Sequence, residues 1–148
     1  MIYISSDHRG FELKNYLISE LTSEGLGIID LGPKEYDPDD DYPKFAKLVA
    51  RKIQEDPENM GVIICGNGVG ISIVANKFKG VRVALSWDPE HAKSTRTDDG
   101  ANVLALPADY ISKEEALKIV ISWLSTNFSG EDRHIRRLVQ ISQLEENK

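Results

Sequence analysis

Five short apolar runs rich in β-branched residues, at residues 2–5, 27–31, 61–65, 81–86 and 102–106, alternate with longer segments whose apolar residues recur at helical spacing. This alternation restricts the fold more than any other feature of the chain. Strands separated by helices pair in parallel, their crossovers are right-handed, and the helices cover both faces of the sheet. The expected class is α/β, a three-layer αβα sandwich around a five-stranded parallel sheet.

Local signals place the helices. Phe11, Leu13, Leu17, Ile18 and Leu21 form one apolar stripe, and Phe45, Leu48, Val49 and Ile53 form another. In "SWDPEHAK", Asp88 is positioned as an N-cap with Pro89 opening the helix, and in "SKEEALKIVISWL" Ser112 and Glu115 have the spacing of a capping box. A chain of 148 residues is the size of one domain, expected to span 1–148. The final "QLEENK" carries little apolar content and is expected to fray.

Charge and cysteine usage remove several function classes. The 18 Lys and Arg are outnumbered by 24 Asp and Glu, with no dense basic run, which argues against nucleic acid or an anionic membrane as partner. "MIYISSDHRG" has no export-signal pattern and no apolar stretch nears 18 residues, so a cytoplasmic location is expected. A single cysteine fits a reducing compartment. Three histidines at 8, 91 and 134 give no zinc spacing. The irregular segment "GPKEYDPDDDYPK" places Asp37, Asp39 and Asp41 at alternate positions, as in a calcium loop. Tyr42 stands where such a loop needs glycine, however, and Leu48 where it needs glutamate.

In an open α/β sheet, ligands bind beyond the carboxyl ends of the strands. That rule selects Ser6, Asp7, His8 and Arg9 after the first strand, residues 65–70 after the third, residues 88–91 after the fourth and residues 107–109 after the fifth. The third loop, "CGNGVG", lacks the lysine of a triphosphate-binding loop, and its third glycine falls one position early for a dinucleotide fingerprint. What it offers is a run of backbone amides leading into a helix, a setting suited to an anion, with Cys65 at its rim. Helix N-termini favour thiolate over thiol, although a lone cysteine ending a core strand is equally consistent with packing. Asp7 beside His8 is suited to sugar hydroxyls or proton transfer, or else to a helix cap and a solvated loop residue. Arg133 and Arg137, four apart on the last helix, have the spacing of a phosphate clamp or of a solvated basic face.

The segments "SSDHRGFELK", "DYP", "GVIICGNGVGISIVANKFKGVRVAL", "ANVLAL" and "RHIRRL" resemble, in order and spacing, the type B ribose-5-phosphate isomerase family, which includes the galactose-6-phosphate isomerase subunits. The resemblance covers nearly the whole chain. It implies a Rossmann-like five-stranded fold, a homodimer or homotetramer with active sites shared between subunits, and interconversion of an aldose phosphate and a ketose phosphate through an enediolate, with neither metal nor organic cofactor. Carried over by position, Cys65 is the base, and the amides of Gly66, Asn67, Gly68, Val69 and Gly70 hold the enediolate oxygens. Asp7, His8 and Tyr42 contact the sugar or line the pocket, and Arg133 and Arg137 bind the phosphate.

Two departures stand out. Where the family carries a ring-opening histidine followed by asparagine, "STRTDDGAN" has Asp98 and Asp99. Where the family has a phosphate-binding arginine after the fifth strand, "LPAD" has Asp109. Asp98 then becomes the expected ring-opening acid on condition that burial raises its carboxyl above the ordinary range, with His91 as the rival, and Asp99 an expected substrate contact. The other readings are a different phosphosugar, or a non-catalytic sugar-phosphate binding protein.

Overall fold

A computed structural model describes residues 1–146. Five parallel strands, β1 (Ile2–Ser6), β2 (Ile28–Asp30), β3 (Met60–Cys65), β4 (Val83–Leu85) and β5 (Val103–Pro107), form one sheet in the order β2-β1-β3-β5-β4. Six helices complete the described chain: α1 (Phe11–Ser23), α2 (Tyr42–Glu55), α3 (Val69–Ala75), α4 (Pro89–Thr97), α5 (Lys113–Leu124) and α6 (Asp132–Glu146). The expected α/β class and five-stranded parallel sheet are what the chain adopts.

The side-chain alternation of β3 divides the core in two. Val62 and Ile64 face a cluster with Leu13, Leu17 and Leu21 of α1 and Ile119, Val120 and Trp123 of α5. Ile63 and Cys65 face the opposite cluster, with Ala46, Val49, Ala50 and Ile53 of α2 and Ile71 and Ala75 of α3. A strand covered on both sides must be apolar throughout, which is why "VIIC" reads as an unbroken run.

The caps occur as read. Asp88 accepts from the N–H groups of Glu90 and His91, and Ser112 and Glu115 form the reciprocal capping box. Two expectations need correction. Leu48 is exposed, because the buried stripe of α2 runs through Phe45, Ala46, Val49, Ala50 and Ile53, and the small alanines let the helix sit closer to the sheet than a leucine would. The tail does not fray at Gln143: α6 continues to Glu146, and the remaining two residues lie outside the described ones.

Candidate active site

Connections leave the sheet in opposite directions at β1 and β3. From β1 the chain moves outward to β2, whereas β3 leads to β5 and β4 on the other side. The crevice beyond their carboxyl ends is the switch point at which such folds bind ligands. Three loops meet there. Asp7 N–H donates to the Ile64 carbonyl at 3.1 Å, joining the loops after β1 and β3. Ala108 and Asp109 N–H donate to the carbonyls of Cys65 and Gly66 at 3.0 and 2.9 Å, joining those after β3 and β5.

Cys65 ends β3, and Gly68, with φ of +74°, turns the chain left-handed into α3. This turn brings the Gly68 N–H onto Sγ of Cys65 at 3.2 Å. Asn67 Oδ1 lies 3.8 Å from the same sulfur and accepts from Val69 N–H at 3.0 Å, so the asparagine braces the loop as well as facing the thiol. Tyr42, the first residue of α2, packs its ring on Gly70, where a Cβ would lie 2.6 Å from the ring Cζ. Residues 65–70 and Tyr42 therefore pack as one unit, with Cys65, Gly66 and Gly68 buried and Asn67, Val69 and Tyr42 exposed.

Asp7 is buried and turned toward its own loop: its Oδ1 accepts from Arg9 and Gly10 N–H at 3.0 and 3.1 Å, capping a 3-10 turn over His8–Gly10. Burial raises the Asp7 carboxyl above the ordinary range, with the Gly10 amide, His8 and the Arg9 amide working against it. His8 has a partner that sequence reading missed. Asp40 Oδ1 lies 2.8 Å from His8 Nδ1 and accepts the His8 backbone N–H at 2.9 Å. The hydrogen bond to Asp40 raises the His8 imidazole above its usual value, and nearby Asp7 adds to the effect. Asp40 sits between the alternate aspartates of the calcium-like pattern, and nothing in that spacing singles it out. Its Oδ2 is buried without a partner, and Tyr36 stands edge-on to His8 with ring centroids 6.4 Å apart. The irregular loop after β2 is thus a wall of the crevice.

The remaining candidates lie elsewhere in the chain. Helix α4 starts at the carboxyl ends of the strands and runs back, so Asp98 and Asp99 follow its far end. Asp98 is exposed and accepts from Thr97 Oγ1 at 2.7 Å. Asp99 lines a side cavity along β4 with His91, Arg82 and Glu145. Helix α6 also packs near the amino ends of the strands: Leu138 lies against Gly100, and Glu145 accepts from Gly80 N–H at 2.9 Å. Arg133, near its start, is paired with Glu131. Within one copy, then, Asp98, Asp99, Arg133 and Arg137 belong to the opposite end of the sheet from Cys65. His91 remains at the crevice end, stacked on Trp87 at 4.7 Å between centroids, with Nδ1 3.0 Å from Ser86 Oγ.

Among the described residues no helix is long and apolar enough to cross a membrane, and no group of three or more His, Cys, Asp or Glu side chains is placed to hold a metal ion.

Residues 2–141 match the model of the Ribose/Galactose Isomerase family. The chain is 46% identical over 147 residues to a probable ribose-5-phosphate isomerase B of Mycoplasma pneumoniae, covering 99% of this chain and 96% of that one. It is similar to the solved structure of ribose-5-phosphate isomerase B from Mycoplasma genitalium with bound ribulose-5-phosphate, with a TM-score of 0.96, 41% identity and coverage of 99% and 97%. It is also similar to a ribose 5-phosphate isomerase from Thermotoga maritima, with a TM-score of 0.91, 39% identity and coverage of 96% and 97%.

Proposed function

The chain belongs to the ribose/galactose isomerase family and is a sugar-phosphate isomerase, and on that premise we propose that it interconverts ribose 5-phosphate and ribulose 5-phosphate at the crevice headed by Cys65. The observation that carries the assignment is the thiol itself, which ends a buried strand at the switch point and receives the Gly68 amide on its sulfur. A charge-stabilising donor on Sγ is what a proton-abstracting thiolate requires.

In the proposed reaction, Cys65 Sγ takes the proton from C2 of the open-chain aldose. The electron pair left on C2 delocalises toward the C1 carbonyl and forms an enediolate, whose oxygens are held by the amides of loop 66–70. A proton passes from O2 to O1, and the thiol returns its own proton to C1. C1 is thereby reduced to an alcohol and C2 oxidised to a ketone, with no external electron donor or acceptor. Tyr42 forms one wall, and His8 meets the sugar from the β1 side on the turn that Asp7 caps.

The groups at the opposite end of the sheet enter through a second copy. In a symmetric assembly, Arg133 and Arg137 of one copy serve the phosphate in the other's crevice, and Asp98 of that copy stands near the ring oxygen as the acid that opens the furanose. Asp99 is a further substrate contact on the same segment. The whole chain acts as one isomerase domain in the cytoplasm.

The test is exchange in deuterated water. With ribose 5-phosphate as substrate, deuterium enters at C2 of the recovered aldose and at C1 of the ketose. Absence of exchange with ribose 5-phosphate, but exchange with another aldose phosphate, would reassign the substrate within the same chemistry.

A further inference from the structure

Asp109 poses an electrostatic problem, because its carboxylate stands at the end of β5 beside the loop that would receive a phosphorylated sugar. The structure resolves it from the other side of the crevice. Arg9, in the turn after β1, donates through Nη2 to Asp109 Oδ2, an ion pair between residues brought together only by the fold. The pair lies directly on the glycine loop. A Cβ on Gly66 would fall 2.5 Å from Arg9 Nε, 2.6 Å from its Cζ and 2.7 Å from Asp109 Oδ2. Gly66 follows Cys65 in sequence, so the guanidinium packs on the loop that starts at the proposed base.

We infer that Arg9 is a substrate-phosphate ligand contributed by the same copy as Cys65, and that Asp109 is its positioning residue. This inference rests on the sugar-phosphate reading of the site. A guanidinium has five N–H donors in a planar fork, and the contact with Asp109 leaves donors for an oxyanion. Its side chain retains 58% of its exposure and that of Asp109 34%, so the pair is open to an incoming ligand. Arg133 and Arg137 depart from the other end of the sheet. Arg9 is therefore the arginine that a single copy brings to its own crevice. The pair also offsets the charge of Asp109 after β5, because the positive charge comes from the β1 loop and the carboxylate opposite holds it in place.

A simpler role for Arg9 is neutralising Asp109, and the double variant separates the two. Binding of inorganic phosphate is measured by titration calorimetry, and KM and kcat are measured with ribose 5-phosphate, on the wild type, Arg9→Ala, Asp109→Asn and Arg9→Ala/Asp109→Asn, with melting temperature as a folding control. Removing a charge-assisted contact weakens binding about 10- to 100-fold. Arg9→Ala is expected to weaken phosphate binding and raise KM by that order. The double variant is expected to stay weak, and Asp109→Asn, which leaves Arg9 charged but unheld, to bind phosphate more weakly than the wild type; unchanged binding in Asp109→Asn would overturn the positioning role. Recovery of phosphate binding in the double variant, unchanged binding in Arg9→Ala, or no phosphate binding by the wild type would overturn the inference. Loss of phosphate binding on Arg9→Ala in a protein that isomerises no aldose phosphate would leave Arg9 as an anion ligand and remove the isomerase reading instead.

Discussion

The Gly68 N–H donates to Sγ of Cys65 at 3.2 Å, and it does so because Gly68 adopts φ of +74° at the turn into α3. Backbone geometry and the proposed base are thus a single unit. Cys65→Ala should abolish isomerisation and deuterium exchange while leaving phosphate binding by calorimetry near the wild-type value, since the anion's ligands are untouched. Cys65→Ser, a far weaker base of similar size, should fall by several orders of magnitude in kcat.

Gly68→Ala tests the turn itself. A left-handed conformation costs a non-glycine residue about 1–2 kcal/mol, and the new Cβ would also press on Leu85 and the β5 end. A lower melting temperature and a lower kcat are expected together. Wild-type kcat in this variant would show that the amide on sulfur contributes nothing to proton transfer.

His8 and Asp40 make a pH-dependent contribution whose sign follows from the raised His8 value. The folded protein holds the imidazole proton more tightly than the unfolded chain, so the stabilisation is complete below pH 6.5 and is lost as pH rises through the folded-state value. NMR titration should place the His8 midpoint above 6.5, and Asp40→Asn should bring it down. The stability difference between wild type and Asp40→Asn should be largest in mildly acidic buffer and shrink as pH increases.

Tyr42 and Gly70 are in contact so close that a methyl group at 70 must displace the ring. Gly70→Ala should raise KM by pushing Tyr42 out of place, with a smaller effect on the Cys65 side of the loop. Combining it with Tyr42→Ala removes the clash. The double variant should then show no further loss beyond that of Tyr42→Ala, a coupling that steady-state kinetics on the four proteins would read.

Sequence periodicity located every strand because each buries a run of side chains whose spacing is dictated by the sheet. The glycine loop was legible for a similar reason: residues 66–70 need small residues and a left-handed turn, and composition records both. Asp40 was not legible, since nothing in "DPDDDYP" distinguishes an aspartate turned inward to His8 from its exposed neighbours. The Arg9–Asp109 contact was hidden for a different reason. The strand-end rule selects both loops, but only the β2-β1-β3-β5-β4 order brings the loops after β1 and β5 together across Gly66 and pairs the two charges.

The far placement of Arg133 and Arg137 leads to a complementation experiment. If each crevice takes Cys65 from one copy and the arginines from another, Cys65→Ala and Arg133→Ala/Arg137→Ala should each be nearly inactive alone. Unfolded together and refolded at equal concentration, they form mixed pairs in which one crevice unites an intact Cys65 with intact arginines. Random pairing in a two-fold assembly makes half the pairs mixed, with one working site of two, so activity should recover to about a quarter of the wild type. Recovery requires contact between copies and should disappear on dilution below the assembly's dissociation constant. A mixture as inactive as its components would place the arginines outside the partner's crevice and leave Arg9 to hold the phosphate without them.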